Sequence, residues 1–165
     1  MHKGNSSIVV LPLRNLFADN FVVYYKSHGY HFNVEGPTFA QDHELLNEIY
    51  DFLWAQHDNL GEQLRQLDKP ALPSLKAILD TTEISECNKL GESSKTMFTE
   101  LCNDFEILIQ NAQSLFEVAD KTCYGGLNTY IGDYLRDLGK LHWKIKATIG
   151  KSFKWNNIKT ITSLL

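Results

Sequence analysis

Residues 98–119 read FTELCNDFEILIQNAQSLFEVA, and their apolar positions fall at Phe98, Leu101, Phe105, Leu108, Ala112, Leu115 and Ala119. Steps of three and four held over six turns describe one face of a long amphipathic helix. Working outward, a second stripe follows the Gly125-Gly126 pair: Leu127, Ile131, Tyr134, Leu138, Leu141, Ile145 and Ile149, closed by Gly150. A third runs upstream through Leu46, Ile49, Leu53, Leu60, Leu64 and Leu67 to a stop at Asp68-Lys69-Pro70. The first helix is expected to start near Pro12, a residue suited to a first turn, to carry Phe17, Phe21, Tyr24, His28 and His31, and to end before Gly36-Pro37. Between Pro70 and Ser94 there is room for a short extra helix around Leu75 to Leu79. No strand-like alternation or internal repeat competes. The fold class is all-α: a four-helix bundle with one long crossover between the second and third long helices.

Composition agrees. The chain has 165 residues, 43% apolar and 22% charged, with four prolines, enough for one domain with its own core. Disordered, collagen-like and low-complexity classes are excluded. The longest apolar run near the start, Ile8-Val9-Val10-Leu11, is cut by Pro12 and lacks a leader's charged start and cleavage site. We expect a single cytoplasmic domain over 1–165 with a short arm 1–11 and a lysine-bearing tail 151–165, and no membrane partner. Cys87, Cys102 and Cys123 are odd in number and lack CxxC spacing, so they read as reduced thiols and not as a zinc site. The net charge of −4 does not favour nucleic acid as the main partner.

Metal-ligand residue types concentrate on the second helix. At ~100° per residue, with His43 at zero, Asn47 lies at about 40°, Asp58 at about 60° and Glu62 at about 100°, while the leucine stripe centres near ~270°. Asp58 and Glu62, one turn apart, can grip one ion together. His43 precedes Asp58 by fifteen residues, roughly 22 Å of helix axis. They share an ion only if a second copy packs antiparallel across this face, and a two-fold axis would then create two equal sites, with His31 available to complete each. A plain solvated helix face is the competing reading. Histidines and carboxylates without thiolate suit iron with open positions, although zinc or another ion is not excluded by residue type. The Glu-x-x-His pairs that project into the core of ferritin-like bundles are absent from the second and fourth long helices, so a di-iron site within one chain is not expected.

Tyr30-His31-Phe32-Asn33-Val34-Glu35-Gly36-Pro37-x-Phe39, then His43, then His57-Asp58-x-x-x-Glu62, closely resembles the Dps proteins, the DNA-binding proteins from starved cells. The likeness continues through Leu67-Asp68-Lys69-Pro70, Ala119-Asp120 and Trp143, covering nearly the whole chain. The resemblance implies a ferritin-like fold and a hollow homo-dodecamer built from two-fold dimers. It implies ferroxidase sites at the dimer interfaces, with His31 and His43 from one subunit and Asp58 and Glu62 from the other. The implied activity is oxidation of Fe(II) to Fe(III), preferably by hydrogen peroxide, with storage of the mineral inside and protection of DNA from oxidative damage.

Several positions depart from the family pattern. Asn47 stands where members often have Asp, which puts a second iron position in doubt. Phe32 replaces a tryptophan. The segment matching the acidic three-fold pore reads Lys121-Thr122-Cys123-Tyr124-Gly125-Gly126, with Asp120 and Asp133 the nearest acids, so iron's route inward is open. Glu44, Glu48 and Asp51, at about 80–140° on the same wheel, either line the cavity and seed mineral or are merely solvated. His57, near the core stripe, reads as a hydrogen-bonded packing residue. His28 reads as a structural residue or a support for His31, and His142 and His2 carry no constellation. The C-terminal Lys140, Lys144, Lys146, Lys151, Lys154 and Lys159, interleaved with Phe153 and Trp155, could touch phosphates and stack on bases, or simply complement a helix dipole. Two rival readings stay open: a non-catalytic or nucleoid-compacting shell with a weakened site, and a helical interaction protein without assembly.

Overall fold

The computed structural model describes residues 7–151, the side chain of Ser7 excepted. Five helices follow in order: α1 Ser7–Asn33, α2 Phe39–Gln66, α3 Leu75–Leu79, α4 Ser94–Lys121 and α5 Gly125–Thr148. There is no strand among the described residues. The hairpins α1/α2 and α4/α5 lie together through α1 against α4, and α3 rests on α1. The stripes read from the sequence all turn inward: Leu46, Ile49, Leu53, Leu60 and Leu64 of α2 meet Phe98, Leu101, Phe105, Leu108, Ala112 and Leu115 of α4 and Ile131, Leu138 and Ile145 of α5 in one buried core.

Pro12 does not open α1; the helix already runs from Ser7, with the proline inside it. The missing amide costs one backbone bond. Val9, Val10 and Leu13, all buried, hold this turn to the core and offset that cost. Residues 7–11, expected as an arm, are therefore helical. Residues 1–6 and 152–165 lie outside the described residues, and with them His2, Phe153, Lys154, Trp155 and Lys159.

Three helix ends share one cap. At the ends of α2, α4 and α5 the residues Asp68, Cys123 and Gly150 take positive φ of 58°, 61° and 72°. Each time paired amides return to the last turn, as in Cys123 N to Asp120 O at 3.1 Å and Tyr124 N to Ala119 O at 2.9 Å. This is the Schellman arrangement, which satisfies carbonyls the helix leaves free.

The crossover is clasped from below by Asp19, fully buried on α1. Its carboxylate accepts from the Thr82 hydroxyl at 2.6 Å, the Glu83 amide at 2.8 Å and the Asn111 side chain at 2.9 Å. At the bundle centre Asn20 donates to Leu53 O at 2.8 Å and accepts from the Tyr134 hydroxyl at 3.0 Å. Lys26 and Asp104 form a buried ion pair at 2.7 Å between α1 and α4.

Candidate metal centre

The tight turn after Asn33, with Gly36 at φ 119°, folds the end of α1 onto the start of α2 and sets His31 beside His43. The two imidazoles stack with centroids 3.6 Å apart and planes 21° from parallel. Their hydrogen bonds are reciprocal: His31 Nδ1 meets His43 O at 3.0 Å, and His43 Nδ1 meets His31 O at 3.0 Å. A carbonyl oxygen only accepts, so each Nδ1 carries the proton and each Nε2 keeps its lone pair. That is the tautomer and support a metal-binding histidine needs.

Asp58 and Glu62 are exposed on α2, and neither is engaged in a hydrogen bond or ion pair among the described residues. Because α2 is one continuous helix from Phe39 to Gln66, the roughly 22 Å of axis between His43 and Asp58 stands. The fold thus brings His31 and His43 together and holds Asp58 and Glu62 apart from them, on the same side of α2.

Asn47 is tied on both sides. Its Oδ1 accepts from the Tyr50 hydroxyl at 2.8 Å and its Nδ2 donates to Asp51 at 2.8 Å, so Asp51 is engaged as well. Both oxygens of Glu48 are taken by Lys144 of α5, at 2.5 and 2.6 Å, whereas Glu44 stands exposed. Lys144, one of the C-terminal lysines read as a phosphate contact, is thereby paired within the chain.

His28 stacks between Phe32 and Tyr50, with centroids 4.4 and 4.1 Å away, and faces the Tyr24 hydroxyl at 3.4 Å. It packs behind His31 without a hydrogen bond to it. Burial and the neighbouring His31 lower its pKa, against a smaller opposing pull from Asp51. His57 packs on Phe17 and Phe21, at 4.0 and 4.9 Å. Its packing role agrees with the sequence reading, and the Phe17 backbone offers it a hydrogen bond, while its Nδ1 is buried without a hydrogen-bond partner. In the pore-like segment, Asp120 is exposed and Asp133 is paired with Arg136 at 2.6 Å.

The sequence reading quoted Phe32 and Phe39 within the resemblance but passed over Trp54 and the exposure of all three. Phe32 is 71%, Trp54 56% and Phe39 46% exposed. Phe39 sits 5.0 Å from His43, and Trp54 5.2 Å from Tyr24. Trp54 lies at about 20° on the wheel, between His43 and Asp58, and an aromatic on an otherwise polar face was the signal available.

The helical bundle with its crossover is a ferritin-like architecture, and the model of the ferritin-like domain matches residues 12–152. The DNA protection during starvation protein of Helicobacter pylori is 32% identical over 135 residues, 82% of this chain and 94% of that one. The crystal structure of antigen TpF1 from Treponema pallidum superposes with a TM-score of 0.85 at 30% identity, covering 87% of this chain and 92% of its own. A Dps protein from Vibrio cholerae, described as a member of a broad superfamily of ferritin-like diiron-carboxylate proteins, gives 0.83 at 28%, covering 87% and 90%. The chain belongs to the Dps family.

Proposed function

We propose that this protein is a ferroxidase subunit: twelve copies form a cytoplasmic shell that oxidises Fe(II), preferably with hydrogen peroxide, and stores the ferric mineral. Membership of the family implies iron binding, iron storage and DNA protection. The observation that carries the finer reading is the split ligand set. Among the described residues, His31 and His43 present two Nε2 atoms free of hydrogen bonds at one end of α2, and Asp58 and Glu62 present two unpaired carboxylates on the same side of that helix. A second copy turned antiparallel across this face joins the two halves twice over. The exposed Phe32, Phe39 and Trp54 supply the apolar surface such a contact would bury.

In that arrangement Asp58 and Glu62 contribute the negative charge that favours Fe(III) over Fe(II). The neutral imidazoles complete the set without adding charge, and protonation of Nε2 would displace the metal. Iron is the substrate; peroxide accepts two electrons, one from each of two Fe(II) ions. Taking both reagents out of solution protects DNA even where no DNA is bound. Three cysteines without paired spacing suit the reducing cytoplasm.

The test is Fe(II) oxidation followed by absorbance under anaerobic conditions after adding hydrogen peroxide. Wild type should oxidise iron rapidly, and Asp58→Ala should lose most of that rate. The bound amide of Asn47 favours the second reading, a shell with a weakened site that acts by enclosing iron or compacting DNA. Equal slow rates in both proteins would favour it and overturn the first.

A further inference from the structure

On the contact between α4 and α5, away from the face just described, Cys102, Glu106 and His142 converge. Cys102 Sγ lies 3.5 Å from His142 Nε2, and the same Nε2 lies 3.7 Å from Glu106 Oε1. All three candidate ligand atoms fall within 4.8 Å of one another. With metal–sulfur bonds of about 2.3 Å and metal–nitrogen or –oxygen bonds of about 2.0–2.2 Å, a tetrahedral ion sets its ligands about 3.3–3.6 Å apart. The 3.5 Å sulfur–nitrogen edge falls within that spacing before any ion is present, and the 3.7 Å nitrogen–oxygen edge lies just beyond it.

We propose that Cys102, Glu106 and His142 form a second divalent-metal site, selective for zinc-like ions, separate from the iron centre. Thiolate plus imidazole favours a borderline-soft ion over Fe(II), and three protein ligands leave a fourth position for water. Burial, with Lys146 next, lowers the His142 pKa against an opposing pull from Glu106, which favours the neutral ring. Burial, reinforced by Glu106, raises the Cys102 pKa, with Lys151 and Lys146 pulling the other way. Binding therefore replaces a proton: the S–H bond breaks, a sulfur–metal bond forms, and the proton passes to buffer with no change of oxidation state. Glu106, exposed beside the buried Cys102 and the partly buried His142, gives the ion its way in. The absence of CxxC spacing hid this site, because its ligands come from one turn of α4 and from α5, forty residues further on. It does not depend on the iron reading.

Metal-free assembled protein titrated with Co(II) under anaerobic conditions tests it. We expect a near-ultraviolet thiolate-to-cobalt band with strong visible bands of tetrahedral cobalt, both removed by added Zn(II) and both retained in Asp58→Ala. Cys102→Ser should abolish the near-ultraviolet band. Glu106→Gln, an exposed change that spares the core, should weaken cobalt affinity about tenfold or more. The proposal is overturned if wild type shows no such band, if the band survives in Cys102→Ser, if Asp58→Ala loses it, or if Glu106→Gln binds as wild type does. Should Cys102→Ser fail to assemble, the Glu106→Gln titration decides.

Discussion

At Asn47 an amide faces Tyr50 on one side and Asp51 on the other, and both of its polar atoms are spent on them. Replacing it by aspartate turns the Asp51 contact from attraction into repulsion of two carboxylates one turn apart, which a cation between them relieves. Asn47→Asp should therefore lower the stability of the metal-free protein slightly and raise the iron bound per subunit; unchanged titration stoichiometry would refute the second half. His57 makes a different point. Burial against Phe17 and Phe21 sets its pKa below the ordinary 6.5 despite help from the Phe17 backbone and Asp58. Below pH 6.5 the unfolded chain takes a proton that the folded ring resists, so stability falls as pH falls. His28 and His142 act with the same sign. Thermal melts between about pH 7.5 and pH 5.5 should show that decline, and His57→Phe, which removes both the titration and the unpartnered Nδ1, should make it shallower.

Between α1 and α4 the pair Lys26–Asp104 sits with side chains 6% and 11% exposed, so water screens it little. Burial raises the Asp104 pKa while Lys26 pulls it back down. Removing one partner strands a buried charge, and Lys26→Met should cost about 3–5 kcal/mol in denaturant unfolding. The double change Lys26→Met with Asp104→Leu should recover most of that loss; a double variant as unstable as the single one would show that the two charges do not act as a pair. The sequence could disclose the four long helices because burial of one face imposes a 3.6-residue period; α3, with Ile78 alone buried, was expected only from the room left in the connection. What it could not disclose depends on which helices meet. Lys26 with Asp104, Glu48 with Lys144, and Cys102 with His142 are separated by 78, 96 and 40 residues. Pro12 misled because local preference yields to the burial of Val9, Val10 and Leu13 around it. His31 and His43 were legible as ligand types, but their mutual backbone bonds were not, since no spacing rule encodes a ring reaching the carbonyl of another helix.

For the molecule as a whole, the layout of α2 makes assembly and chemistry one question. If each centre draws its histidines from one chain and its carboxylates from another, subunits of His43→Ala and Asp58→Ala, each inactive alone, should regain part of the oxidation rate when mixed before assembly. No recovery in verified mixed shells would count against a site built from these residues of two chains. The native mass should be that of a large closed oligomer, with Phe32, Phe39 and Trp54 protected from solvent. The stacked imidazoles bear on timing. Each ring is held by the other's backbone, so a newly made subunit already has its nitrogens in their final posture, while its carboxylates wait elsewhere on the surface. On the proposed shared site, such a subunit is inert by itself. If the centre is shared as proposed, pairing with a second copy is the event that switches the reaction on, ahead of any closure of a shell.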